Sequence, residues 1–133
     1  ITSRTIDSSL RITRLTSIII EALEQCGGTF LPELVEPITL KNCLKLWPSE
    51  RQLIFCDESL AQKERNNSLV AMDKKRPTGI LIGPEGGFSK AEGHLIKQTK
   101  LVIPISLGSR ILRADTAAVS AIAIWQNICF NAK

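Results

Sequence analysis

Two aliphatic runs, residues 78–82 and 102–106, each break abruptly into a glycine-bearing loop: Gly83-Pro84-Glu85-Gly86-Gly87 and Leu107-Gly108-Ser109-Arg110. Runs of this kind predict strands covered on both faces, which means parallel strands of an α/β sheet. Loops that leave the C-terminal ends of such strands form the edge where open α/β sheets bind their ligands. Glycine lets the backbone itself come close to a flat, polar molecule. One small molecule is therefore expected between the two loops.

The rest of the chain fits that frame and reads β, α, β, α, β, linker, β, α, β, α. Residues 1–6 look like a strand already in progress, so the chain is expected to enter its domain part-way. Ser8 or Ser9 caps a helix running to about Gln25, with Leu15, Ile18, Ile19, Ala22 and Leu23 at helical spacing and Gly27-Gly28 as the stop. Residues 31–36 predict a short strand or an extended link. Thr39 caps a helix whose inward face is Leu40, Cys43, Leu44 and Trp47, ended by Pro48. Residues 52–56 form a strand, and residues 57–77 are polar and charged, the least ordered part by composition.

Ser89 with Glu92 is a capping box that opens a helix to about Thr99. His94 falls on that helix, away from either loop. The last helix, from about Asp115 to Phe130, is apolar on nearly every side and must be covered all round. A second subunit is the simplest cover in a chain of this size.

Composition narrows the class. With 133 residues the chain is one domain, residues 1–133, large enough for a real core. The absence of Tyr and the 5% aromatic content suit a Val/Ile/Leu-filled sheet better than a β-sandwich. A net charge of +4 with pI near 9.0 is a mild bias towards a polyanion such as RNA. Cys26, Cys43, Cys56 and Cys129 form no C-x-x-C pair and have no His at ligand spacing, so buried reduced thiols are expected, with no metal. No apolar run is long enough to span a membrane and no secretory signal precedes the first helix, which predicts a cytoplasmic protein without a membrane partner.

Read together, the motifs resemble one family. Gly83-Pro84-Glu85-Gly86-Gly87-Phe88-Ser89 with Glu92, then Leu107-Gly108-Ser109-Arg110-Ile111-Leu112-Arg113 with Thr116-Ala117, resemble the RsmE ribosomal RNA small-subunit methyltransferases. Glu24-Gln25-Cys26-Gly27 and Leu31-Pro32-Glu33 look like that family's upstream elements, in the right order. The resemblance implies a SPOUT fold, a parallel α/β sheet closed by a C-terminal trefoil knot. It implies S-adenosylmethionine as cofactor, small-subunit ribosomal RNA as substrate, a homodimer, and methylation at N3 of a uridine. The family's opening β-α unit and N-terminal RNA-binding barrel are not visible ahead of Ile1. Asp115 stands where Glu is more usual.

Methyl transfer to a uridine N3 needs the nitrogen brought into line, its weakly acidic proton removed, and the charge growing on the flanking carbonyls stabilised. Arg113, just past the second loop, is the candidate cation. Asp115 and Glu85 are candidate proton acceptors, although an Asp just before an apolar helix is also a natural N-cap. The backbone of Gly83, Pro84, Glu85, Gly86, Gly87 and Gly108 is expected around the cofactor, with Gly86 needing freedom that a β-branched residue lacks. Ile82, Leu107, Ile111, Leu112 and Thr116 complete the expected pocket. The rival readings are a nucleotide-binding protein using the glycine loop and a non-catalytic RNA-binding or dimerisation module. The first is disfavoured because neither G-x-G-x-x-G nor G-x-x-x-x-G-K-[ST] occurs.

Overall fold

The computed structural model describes residues 12–60 and 72–130. Its centre is β1 (Gln52–Cys56), flanked on one side by β2 (Thr78–Leu81) and on the other by β3 (Val102–Ile105), all parallel. Every residue of β1 is buried, as the unbroken Leu-Ile-Phe run requires of a strand covered above and below. The register Ile54↔Ile103 and Cys56↔Ile105 sends one set of side chains to one face, and the alternate residues Leu53 and Phe55 to the other.

Each face meets its own helices. Ile54, Cys56, Ile103 and Ile105 pack with Met72 against α4 (Ala114–Phe130), through Ala121, Trp125 and Ile128. Leu53 and Phe55 pack against Leu40 and Leu44 of α2 (Leu40–Lys45), Ile96 of α3 (Lys90–Lys97), and Trp47. Phe55 and Phe88 meet edge to face with ring centroids 5.4 Å apart. Phe55, Leu53, Ile54 and Ile96 are the large side chains most fully removed from water, and each contributes roughly 1.5–3 kcal/mol of burial.

Local sequence accounts for the helix ends. Thr39 Oγ1 accepts the Asn42 N–H at 3.3 Å, and Ser89 and Glu92 form the reciprocal capping box. The first helix, α1 (Ile12–Cys26), ends where Gly27 takes φ +68° and the Gly28 N–H bonds back to the Leu23 carbonyl at 2.9 Å. Only a residue without a Cβ turns left-handed there at little cost.

Four expectations change. Of the two alternatives for residues 31–36 the strand falls: they pair with no strand among the described residues, and Pro32 and Pro37 lack the N–H a ladder needs. Asp115 is not the N-cap of α4. The Ala117 N–H bonds to the Arg113 carbonyl at 2.8 Å, which puts the cap at Arg113 and Asp115 inside the first turn. A carboxylate is favourable there too, next to the positive end of the helix dipole. Of the cysteines, all free, only Cys56 is buried, and Cys26 is exposed. The last helix is covered on one side only, since Val119, Ile122 and Phe130 lie 70%, 46% and 71% exposed. The predicted opening strand and the start of the first helix lie outside the described residues.

Candidate functional site

Because β1 lies between β2 and β3, its C-terminal end sits between the two glycine loops. The crevice there holds a first cavity of about 450 Å³ including its mouth. One wall is Ile82 and Gly83 of the first loop. The facing wall is Leu107, Gly108, Arg110, Ile111 and Leu112 of the second, and the floor is Cys56, Asp57 and Glu58 from the end of β1. A second cavity, about 990 Å³, opens on the α3 side between Glu58, Gly86, Gly87, Phe88, Lys90 and His94.

The loops hold their shapes by short-range bonds. The Gly87 N–H closes a turn onto the Pro84 carbonyl at 2.8 Å, with Gly87 at φ +64°. Gly108 has φ +123°, and Ser106 Oγ both donates to its carbonyl at 3.0 Å and accepts its N–H at 3.3 Å. At Gly83 the requirement is clearance: a Cβ there would fall 2.8 Å from the Phe88 ring. The residue in the left-handed region is thus Gly87, not Gly86.

The expected cofactor residues divide between these places. Ile82, Gly83, Leu107, Gly108, Ile111 and Leu112 come together around the first cavity, while Gly86 and Gly87 line the second. Pro84, Glu85, Arg113, Asp115 and Thr116 line neither, and the last four are exposed. Asp115 Oδ1 accepts the N–H of Thr116 at 2.7 Å. Arg110, not Arg113, is the arginine on the wall of the first cavity. His94 is exposed as expected, yet it lines the second cavity beside the first loop, because α3 doubles back against the sheet.

Sequence reading missed the pair Asp57-Glu58, which looked like the start of a polar linker. Asp57 is buried, 8% exposed. Its Oδ1 accepts the Ser59 N–H at 3.0 Å and the Ser59 hydroxyl at 2.6 Å, capping the short 3-10 turn Glu58–Leu60, and its Oδ2 pairs with Lys97 Nζ at 2.7 Å. Burial pushes the Asp57 carboxyl up. The bonds from Lys97 and Ser59, with the Lys97 charge, outweigh it and hold the carboxyl below its ordinary value. Burial alone pushes the neighbouring Cys56 thiol up to about 11, so it stays protonated and unreactive at neutral pH. The signal that could have found Asp57 was its place immediately after a strand buried at every position.

A family model described as "RNA methyltransferase domain" matches residues 1–126. The ribosomal RNA small subunit methyltransferase E of Rickettsia conorii is 38% identical over 117 residues, covering 86% of this chain and 46% of that protein. Among solved structures, the ribosomal RNA small subunit methyltransferase E of Neisseria gonorrhoeae, bound to S-adenosyl methionine, matches with TM-score 0.81 at 30% identity. It covers 96% of this chain and 52% of that one. A Legionella pneumophila protein solved with the bound cofactor SAM matches with TM-score 0.77 at 32% identity, over 95% of this chain and 52% of that one. The chain thus spans about half the length of these relatives. On the match of the family model, over a parallel sheet with its ligand crevice at the expected edge, the chain belongs to the RNA methyltransferase domain family.

Proposed function

We propose that the chain carries the catalytic domain of an S-adenosylmethionine-dependent methyltransferase acting on N3 of a uridine in small-subunit ribosomal RNA. The observation that carries the reading is the first cavity, walled by both glycine loops, in a chain whose relatives were solved with that cofactor. The walls suit it. Ile82, Leu107, Ile111 and Leu112 offer apolar cover for an adenine, while the loop backbone offers polar groups at Gly83 and Gly108. Among the described residues Arg110 is the only basic one on the wall, which suits a nucleoside bearing a carboxylate better than a triphosphate. When bound, the cofactor supplies an electrophilic methyl carbon, so the protein's own work is orientation, proton removal and charge stabilisation.

The same reading assigns the chain a SPOUT architecture with a C-terminal trefoil knot, a homodimer formed through α4, and work in the cytoplasm, where ribosomal RNA is found. The exposed apolar side of α4 supports the dimer. Arg110 is expected to meet the cofactor and Arg113, exposed at the start of α4, the RNA.

Two measurements test this. Calorimetric titration is expected to detect S-adenosylhomocysteine binding and no ATP binding; the reverse result removes the reading. With ribosomal RNA and methyl-labelled cofactor, Arg113→Ala is expected to slow methylation about 10²–10³-fold with cofactor affinity little changed. Arg110→Ala is expected to weaken cofactor binding instead. The modified uridine is located by the stop it causes in primer extension, because a methyl at N3 blocks base pairing.

A further inference from the structure

Among the described residues the two cavities share just two, Asp57 and Glu58. Both are carboxylates, and they differ in one decisive respect. Asp57 is engaged on both oxygens, Oδ1 by Ser59 and Oδ2 by the Lys97 ammonium. Glu58 is exposed and has no hydrogen-bond or ion-pair partner among the described residues, and its Oε2 lies 3.3 Å from where a Cβ on Gly87 would stand. An unpaired acceptor therefore overhangs the glycine loop on the rim between the two cavities. Its place is fixed from below: β1 ends in the sheet's centre, Asp57 caps the turn, and Glu58 is the first residue of that turn.

We infer that the second cavity receives the pyrimidine to be methylated and that Glu58 accepts its N3 proton. This rests on the cofactor occupying the first cavity. The chemistry of the second cavity suits an imide, whose N–H lies between two carbonyl oxygens. Glu58 is the acceptor for the N–H, while Lys90 and His94 on α3 line the same cavity, Lys90 bringing donors for the carbonyls, and Lys97 beside them is held by Asp57. The ring of Phe88 and the bare backbone of Gly86 and Gly87 give a flat base an apolar surface to lie against. In the step itself the N3–H proton passes to a Glu58 carboxylate oxygen. The nitrogen's electron pair forms the bond to the methyl carbon, and the carbon–sulfur bond breaks with its pair left on sulfur. The products are an N3-methylated base, a neutral thioether and a protonated Glu58, which returns its proton to water at the exposed rim.

The test reads recognition of the N3–H and does not depend on turnover. The protein is saturated with S-adenosylhomocysteine and titrated with uridine monophosphate and with its N3-methyl analogue. The wild type is expected to bind the unmethylated nucleotide about tenfold more tightly, the gain from a hydrogen bond to a charged acceptor. The preference is expected to shrink in Glu58→Gln, whose neutral amide is a weaker acceptor, and to vanish in Glu58→Ala. The thermal midpoint is expected to stay unchanged, because the side chain is exposed, and each variant is titrated only after it has been saturated with S-adenosylhomocysteine, so that a change in cofactor affinity does not enter the comparison. A wild type that ignores the N3 substituent or binds neither nucleotide overturns the inference, as does a Glu58→Ala protein that keeps the preference. A wild type that fails to bind S-adenosylhomocysteine overturns the methyltransferase reading itself, and the two failures are told apart by that first titration.

Discussion

Gly86 and Gly87 stand side by side in one motif and ask different things of the backbone. Gly87 sits at φ +64° with its N–H tied into the turn, whereas Gly86 is not among the positive-φ residues. A Cβ in the left-handed region costs about 1–2 kcal/mol. Gly87→Ala is therefore expected to lower unfolding stability by about that amount in urea titrations, with Gly86→Ala costing clearly less; equal losses would mean the turn is held some other way. The cysteines make a second residue-scale contrast. With its thiol near 11, Cys56 is expected to resist alkylation at pH 7 while exposed Cys26 reacts first, read by mass spectrometry of the labelled peptides. The polar Glu24-Gln25-Cys26-Gly27 setting already marks Cys26 as the odd one, whereas the burial of Cys56 comes from its place at the end of the central strand. The loop glycines were legible as a group for the opposite reason: the backbone freedom and clearance used at Gly83, Gly87 and Gly108 are written in residue type.

At the scale of elements, most boundaries were legible because each carried its own chemistry. Thr39, Ser89 with Glu92, and Gly27 cap or stop their helices through contacts within a few residues, and the continuous run Gln52–Cys56 could only be a buried strand. Strand order was not legible. Nothing local says that β1 lies between β2 and β3, and without that order Asp57 and Glu58 read as linker. The Asp57–Lys97 pair is what ties the end of β1 to α3. It lies between the extremes of a solvated and a buried ion pair, since the Lys97 side chain is 47% exposed and that of Asp57 only 9%. Lys97→Met is expected to cost about 1–2 kcal/mol at pH 7, above the usual surface pair and below a fully buried one. The pH dependence has a definite sign. The Asp57 carboxyl is held below its unfolded value, near 3.9. Its contribution is present in full above that value and disappears as the pH falls through the folded one. Acid unfolding of the wild type should show this loss, and Lys97→Met should show less of it; identical pH slopes would mean that the ion pair does not hold the carboxyl down.

The whole molecule presents a covered side and an uncovered one. Along α4, Ala121, Trp125 and Ile128 pack towards the sheet, whereas Val119 and Ile122 are exposed on another side of the same helix. The apolar pattern predicted a helix covered all round, and the sheet covers one stripe of it; pattern alone could not say which stripe the sheet would take. Ile124, half-buried, belongs to neither extreme, whereas Val119 and Ile122 stand clear of the core. They are the positions at which association can be tested without disturbing the fold. Sedimentation of the wild type is expected to show a dimer. Val119→Glu, placed alone or with Ile122→Glu, is expected to raise its dissociation constant at least about 100-fold, because an unpaired carboxylate buried in an apolar interface costs roughly 3 kcal/mol. The monomer so released should keep its helical circular dichroism and unfold cooperatively, since neither side chain touches the sheet. A wild type that sediments as a monomer, or a Val119→Glu protein that dimerises as tightly as before, would put the second subunit elsewhere. The exposed stripe of α4 would then have to be covered by some other part of the protein.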